Sequence, residues 1–279
     1  MAEFAIKPMG ELVAIDKKFV PHFVSALLDL RKEIDNRKLW YRGVSNCGYD
    51  LIPSIGRPHP YAGREREPFS PAEEIHLLHR FRRRAHPLVG HALTAGEAIF
   101  LARHHGLPTR LLDWTANALF ALYFACRQHS DKRQAGKVWA MLRRKGSEYD
   151  VNAFDLAKRA DEDDLFNRPL LAGHWPDASD RYAIKIVHPI YNSPRLLAQD
   201  GAFTFHSDPR MRIETYAGQP FAEHNLDIEN LYWWCIPAES KISIIEELSG
   251  LGITERLVYP DLDGIAKSLW ETATLWGEQ

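Results

Sequence analysis

The run His104–Ala125, HHGLPTRLLDWTANALFALYFA, constrains this chain more than any other stretch. Within it one helix has to end, a strand has to cross apolar surroundings, and a second helix has to begin. His104-His105-Gly106 closes the first helix, because glycine accepts the left-handed backbone that commonly terminates one. Leu107 to Trp114 is short and apolar enough for a buried strand. Asn117 then caps an almost wholly apolar helix over Ala118–His129. Among these Leu, Trp and Phe residues sit two imidazoles, Arg110, Asp113, Thr109 and Thr115. Polar groups in such a setting must pair or stay costly. The set is therefore either a functional pocket or a hydrogen-bonded core clamp.

Around this stretch, the spacing of Phe19, Phe23, Leu27, Leu30 and Ile34 predicts a helix over Phe19–Arg37, followed by a strand at Leu39–Gly43. Leu51–Arg57 reads as extended and 57–71 as an exposed loop rich in proline and charge. Glu73–Pro87 is an amphipathic helix with Ile75, Leu78, Phe81 and Ala85 inward; its Arg80 and Arg82–Arg84 either touch phosphates or form a solvated face. Thr94 and Glu97 make a capping box for the helix that ends before Gly106. Strands follow at Lys137–Leu142, Tyr182–Val187, Phe203–Phe205 and Leu231–Ile236, with an exposed helix at Ala153–Leu165. Ile242–Leu251 is a helix, Leu257–Tyr259 is extended, and Pro260–Trp276 closes with another helix. Short strands irregularly mixed with helices point to a single α+β domain, a small mixed sheet flanked by helices, and disfavour a doubly wound parallel sheet. The division expected is a helical lead-in at 1–38, the body at 39–268 and a helix end at 269–279.

Three scattered cysteines suit neither a disulfide framework nor a zinc cluster. His104 and His105 diverge by about 100° on a helix, so no metal is expected there. Glycine-loop, GxSxG and HExxH motifs are missing. A formal charge of -2 gives no global pull towards nucleic acid or anionic membrane, while local basic patches remain open. The amino terminus does not read as a signal peptide, and no apolar run is long enough to span a bilayer. A cytoplasmic protein is the expectation.

Individual residues carry alternatives. Arg42 either grips a phosphate in bidentate fashion or forms an internal ion pair with Asp113. Gly43 behind it implies a close backbone approach or an unusual dihedral. His105 is either a general acid or phosphate donor, with His104 beside it, or a helix cap. Arg110 and Asp113, three apart, lie on opposite faces of a strand, so one faces a pocket and the other braces the fold. Gln199 stands where Gly201 lets the chain turn sharply, and Trp233-Trp234 read as core.

Several of these blocks together resemble one family. Trp40-Tyr41-Arg42-Gly43 with Leu51–Ile55 and Arg57 is similar to the opening signature of the FRG domain, named for its (Phe/Tyr)-Arg-Gly tripeptide. His104–Ala125 resembles its central block, with Arg103 in place of the usual Gln and Ala118 in place of a usual Pro. Pro194-Arg195, Gln199, Gly201 and Phe203-Thr204 resemble its third block, and Tyr259–Gly264 its last. Members often look like bacterial or phage-associated proteins, which implies a place in defence or toxin systems. A more distant resemblance, in the order of elements, is to the Arg-Ser-Glu class of ADP-ribosyltransferases. That resemblance implies NAD as substrate, Arg42 as its anchor, Thr115 and its strand as the nicotinamide wall, and Trp114 covering a flat ring. The carboxylate that class needs beside the ribose is not at Gln199-Asp200-Gly201, which leaves Asp113 or Glu255. The expected function is thus a nucleotide-binding enzyme, an ADP-ribosyltransferase or NAD glycohydrolase, acting on an unidentified macromolecular acceptor. Its catalytic candidates are His105, Asp113, Gln199 and Glu255; its binding candidates are Arg42, Gly43, His104, Thr109, Arg110, Trp114, Thr115 and Arg195. The alternatives are phosphodiester cleavage through His105, with nucleic acid as substrate, and a non-catalytic nucleotide-sensing module.

Overall fold

The computed structural model describes residues 5–14, 18–61, 64–127, 134–144, 151–152, 184–188, 194–206, 208–216, 228–262 and 264–269. They build an α+β domain. Its strands are β1 (Ala5–Glu11), β2 (Leu39–Val44), the hairpin β3 (His59–Tyr61) and β4 (Arg64–Arg66), β5 (Leu111–Thr115), β6 (Gly136–Arg143), β7 (Val151–Asn152), β8 (Ile184–His188), β9 (Gly201–His206) and β10 (Ile228–Ile236). All but the hairpin join one eight-stranded sheet in the order β1-β10-β6-β2-β5-β9-β8-β7. The two outermost pairs are parallel and the rest antiparallel, so the sheet is mixed and larger than the small one expected. Residues 5–11 and the helix after them belong to the same body as the rest, because β1 pairs along β10.

The helices are α1 (Val20–Glu33), α2 (Pro71–Val89), α3 (Ala95–His104), α4 (Ala118–Cys126), α5 (Pro194–Ala198), α6 (Lys241–Gly250) and α7 (Glu255–Val258). One face of the sheet buries Trp40, Val44, Leu112, Trp114, Trp139, Met141 and Ile186 together. The opposite face is covered in two parts. Phe23, Leu30 and Phe120–Cys126 pack on Tyr41, Val138 and Ala140 of the first half. Leu78, Ile99, Phe100 and Ala102 pack on Leu111, Phe203 and Phe205 of the second. β5 carries apolar residues on both faces, Leu111 on one and Leu112 and Trp114 on the other, with only Asp113 partly exposed.

Local chemistry fixes the helix ends around the centre. Thr94 and Glu97 form a complete capping box for α3, as do Ser70 and Glu73 for α2. Asn117 Oδ1 accepts from the amides of Leu119 and Phe120 and starts α4. Gly43 sits where α4 crosses β2; a Cβ there would lie 1.8 Å from the Ala121 carbonyl oxygen. The glycine demanded by the sequence pattern thus serves helix-on-strand packing.

Four expectations change. Leu257-Val258 belongs to the helical turn α7 rather than a strand, its amides bonding back to Thr254 O. The 57–71 loop contains the β3–β4 hairpin, and residues 54–56 of the extended stretch form a 3-10 turn. The central strand begins at Leu111, since Leu107–Thr109 connect it to α3 without joining the sheet. The helix expected at Ala153–Leu165 lies outside the described residues, as does the part of the last helix beyond residue 269.

Candidate functional site

β2 and β5 are neighbours in the middle of the sheet, yet they share a single residue pair, Tyr41 with Thr115. Beyond it they diverge. β2 continues along β6 from Leu39 to Val44, while β5 continues along β9 from Thr115 to Leu111. The sheet therefore splits, and a cleft of about 320 Å³ opens at the split. α3 and α4 flank it, with the end of α5 and Tyr259 closing one side. A cavity of this size is in the range of small-ligand sites.

Where the backbone ladder fails, a side chain replaces it. Arg42 Nη1 donates to the Asp113 carbonyl at 2.7 Å and to its carboxylate at 3.4 Å. Arg103, from the last turn of α3, grips the same carboxylate in a two-point fork: Nε reaches Oδ1 at 2.8 Å and Nη2 reaches Oδ2. Its Nη1 donates to Ser54 Oγ at 3.2 Å. Asp113 is 40% exposed at the cleft, while the Arg42 side chain is 15% exposed and its Nε is buried without a partner. Arg57 holds the Ile52 carbonyl with Nε and Nη2 and lies over the Tyr49 ring.

The cleft is strongly cationic. Arg42, Arg57, Arg103 and Arg127 line it against one carboxylate, Asp113. Burial pulls the Arg42 guanidinium down to about 10, with Asp113 opposing the shift and the neighbouring Arg103 and Arg57 adding to it. Arg57 is lowered too, by burial and then by Arg103. Arg103 moves the other way, because the facing Asp113 carboxylate outweighs its burial. Aromatic rings complete the walls: Tyr49, Phe124 and Tyr259, the last two 6.1 Å apart in an edge-on pair. Arg127 stacks over Tyr259 and donates to its hydroxyl.

The floor is a clamp. The Thr115 hydroxyl donates to the Gln199 carbonyl and accepts the Asn117 amide, tying β5 to the end of α5 and the start of α4. Gln199 Nε2 donates to the Val258 carbonyl at 2.9 Å, which anchors the segment bearing Tyr259. Behind the cleft, Trp114 Nε1 donates to Thr204 Oγ1, which also contacts the buried His206 Nε2. Lys241, fully buried, donates to the carbonyl of Ser45 in the cleft wall.

Of the residues singled out from the sequence, Arg42, Gly43, His104, Asp113, Trp114, Thr115 and Gln199 converge on the cleft. The others go elsewhere. Arg110 is buried and paired with Glu74 of α2; it stands just before β5, so the expectation that strand alternation sends it and Asp113 to opposite faces does not apply. Thr109 is buried beneath the turn into β5, 3.4 Å from the Leu111 amide. His105 is the exposed C-cap of α3 and does not line the cleft. Glu255 is buried under α4, accepting from the Tyr123 hydroxyl and from Lys267 Nζ at 2.7 Å. Arg195 lies on α5 with its side chain outside the described residues. Arg103, Arg127, Tyr49 and Tyr259 were not singled out. The spacing of Arg103 ten residues before Asp113 gives no hint that helix and strand fold back to bring the two together.

Residues 37–134 match the model of the FRG domain family. The match covers the tripeptide strand and the central block, Arg42 and Asp113 included; the blocks at 194–204 and 259–264 lie beyond it. No curated protein and no solved structure matches the chain. Among the described residues, no cluster of His, Cys, Asp or Glu is placed to hold a metal ion, and no helix is long and apolar enough to cross a membrane.

Proposed function

We propose that the cleft binds a phosphate-bearing nucleotide such as NAD. The observation that carries the reading is the lining itself: four guanidiniums, one carboxylate and several aromatic residues around one cleft. Guanidinium forks match phosphate geometry, and an anion would offset the mutual repulsion that Arg42, Arg57 and Arg103 now bear. Flat rings suit a base or nicotinamide. Binding without turnover is the better supported form, because the one carboxylate lining the cleft is already held on both oxygens by Arg103. Glu255, the other carboxylate considered for transfer chemistry, is engaged away from the cleft.

A second reading rests on the 40% exposure of Asp113: glycosidic cleavage of NAD, with Asp113 stabilising positive charge at the ribose. Titration calorimetry with NAD, ADP and inorganic phosphate, run beside chromatographic assay of nicotinamide, separates the two. NAD and ADP should bind, Arg42→Ala should weaken them by roughly 10- to 150-fold, the loss of one or two charge-assisted hydrogen bonds, and nicotinamide should stay bound in NAD. Nicotinamide release abolished by Asp113→Asn moves the conclusion to cleavage. No heat with either nucleotide at millimolar concentration ends both.

A further inference from the structure

The nineteen-residue helix α2 carries a charge pattern that the cleft does not use. Its inward face is accounted for: Leu78 and Ala85 are buried, Ile75 and Phe81 are partly buried, and Glu74 is paired with Arg110. The opposite face presents His76, His79, Arg80, Arg83, Arg84 and His86, all exposed. At about 100° per residue these positions fall on one stripe, turned away from the buried side, that runs about 15 Å along the axis. The helix offers this stripe no carboxylate of its own. Glu73 is spent on the capping box with Ser70 and on Arg66, and Glu74 points inward. None of Arg80, Arg83 and Arg84 makes an ion pair or hydrogen bond with a described residue. A chain of formal charge -2 thus concentrates unneutralised positive charge on one helix face.

We infer that this face of α2 docks the phosphodiester backbone of duplex nucleic acid. The stripe spans roughly four nucleotide steps of one strand. Its arginines have no ion-pair partner among the described residues and are exposed, as counterion-releasing phosphate contacts require. Phe81 is turned inward, so the face carries no Phe, Tyr or Trp, the large rings on which unpaired bases stack best, which favours a duplex over a single strand. A lipid surface fits less well. The apolar side that a membrane-lying helix would insert is already committed to the protein core.

Fluorescence anisotropy of a labelled 20-base-pair duplex with the full chain tests this, at 50 and 200 mM salt. The wild type should bind and lose about 40-fold in affinity over that range if three phosphates are neutralised. R80A/R83A/R84A should lose binding at 50 mM while keeping its thermal midpoint and its NAD titration. Replacing the exposed Arg256, outside the stripe, should leave duplex affinity unchanged. The inference fails if the triple variant binds duplex as the wild type does. It fails equally if the wild type gives no salt-dependent signal, or if phosphatidylserine vesicles bind and the duplex does not. Because the NAD titration is read on the same samples, loss of this inference is distinguishable from loss of the nucleotide reading.

Discussion

Arg110→Met should destabilise the protein severely and leave the cleft's ligand affinity intact. The guanidinium and the Glu74 carboxylate are 3% and 2% exposed, and Nε lies 3.0 and 3.1 Å from the two oxygens, with Nη2 also on Oε2. The Phe205 ring packs 5.5 Å from the guanidinium carbon, so water has little access to either charge. Methionine would replace the stem but leave Glu74 as an unpaired buried anion, which costs about 3–5 kcal/mol. In a domain of this size that is a fall in thermal midpoint of roughly 6–20 °C. The pair itself contributes far less, since its desolvation offsets most of its attraction. Glu74→Met together with Arg110→Met should therefore recover most of the loss, leaving the double variant far more stable than the sum of the two single losses in a double-mutant cycle. Urea unfolding followed by tryptophan fluorescence measures the stabilities, and NAD titration reads the cleft. A single variant that costs under about 1 kcal/mol, or that loses NAD affinity at wild-type stability, would refute the assignment of Arg110 as a brace between β5 and α2.

Two further outcomes are expected. Gly43→Ala places a methyl 1.8 Å from one backbone atom of α4 and 2.7 Å from another, so the helix must shift; a loss of about 3 kcal/mol or more in urea unfolding is expected, and an unchanged midpoint would mean α4 is not seated as described. Burial holds the His206 imidazole down at about 3, so the unfolded chain takes up a proton there before the folded one does. Stability from this group is complete above the ordinary histidine value and falls as pH drops from about 6.5 towards 3, by about 1.4 kcal/mol per unit. His206→Gln should flatten the acid limb of the stability profile by that slope, and identical slopes in the two proteins would contradict it.

The local rules were legible in the chain wherever the deciding atoms are near in sequence. The Thr94–Glu97 box, the Asn117 cap and the apolar periods of α1 and α2 each depend on residues within one or two turns. Arg110 departs from that pattern: it precedes β5, so the strand period does not apply to it, and it reaches Glu74 of α2 on the helix-covered side from which Arg103 of α3 reaches Asp113. The helix α1 also shows where local reading stops. Its first amides are satisfied by the Glu247 carboxylate of α6, 2.8–3.1 Å away across the fold, with no local capping side chain.

Which residues share the cleft was decided by tertiary structure. The sheet splits after one β2–β5 pair, and that split brings helix-borne Arg103 and Arg127, loop-borne Arg57 and the distant Tyr259 around Asp113. The Tyr-Arg-Gly strand and the central block by themselves marked Arg42 and Asp113 as candidates, and both line the cleft. Only the packing of α3 beside β5 turned Asp113 into the counter-charge of two arginines, and only the reach of Glu74 took Arg110 away from the site. Electrostatic pairing depends on separations of a few ångströms between side chains, and a sequence fixes those separations only through the whole fold.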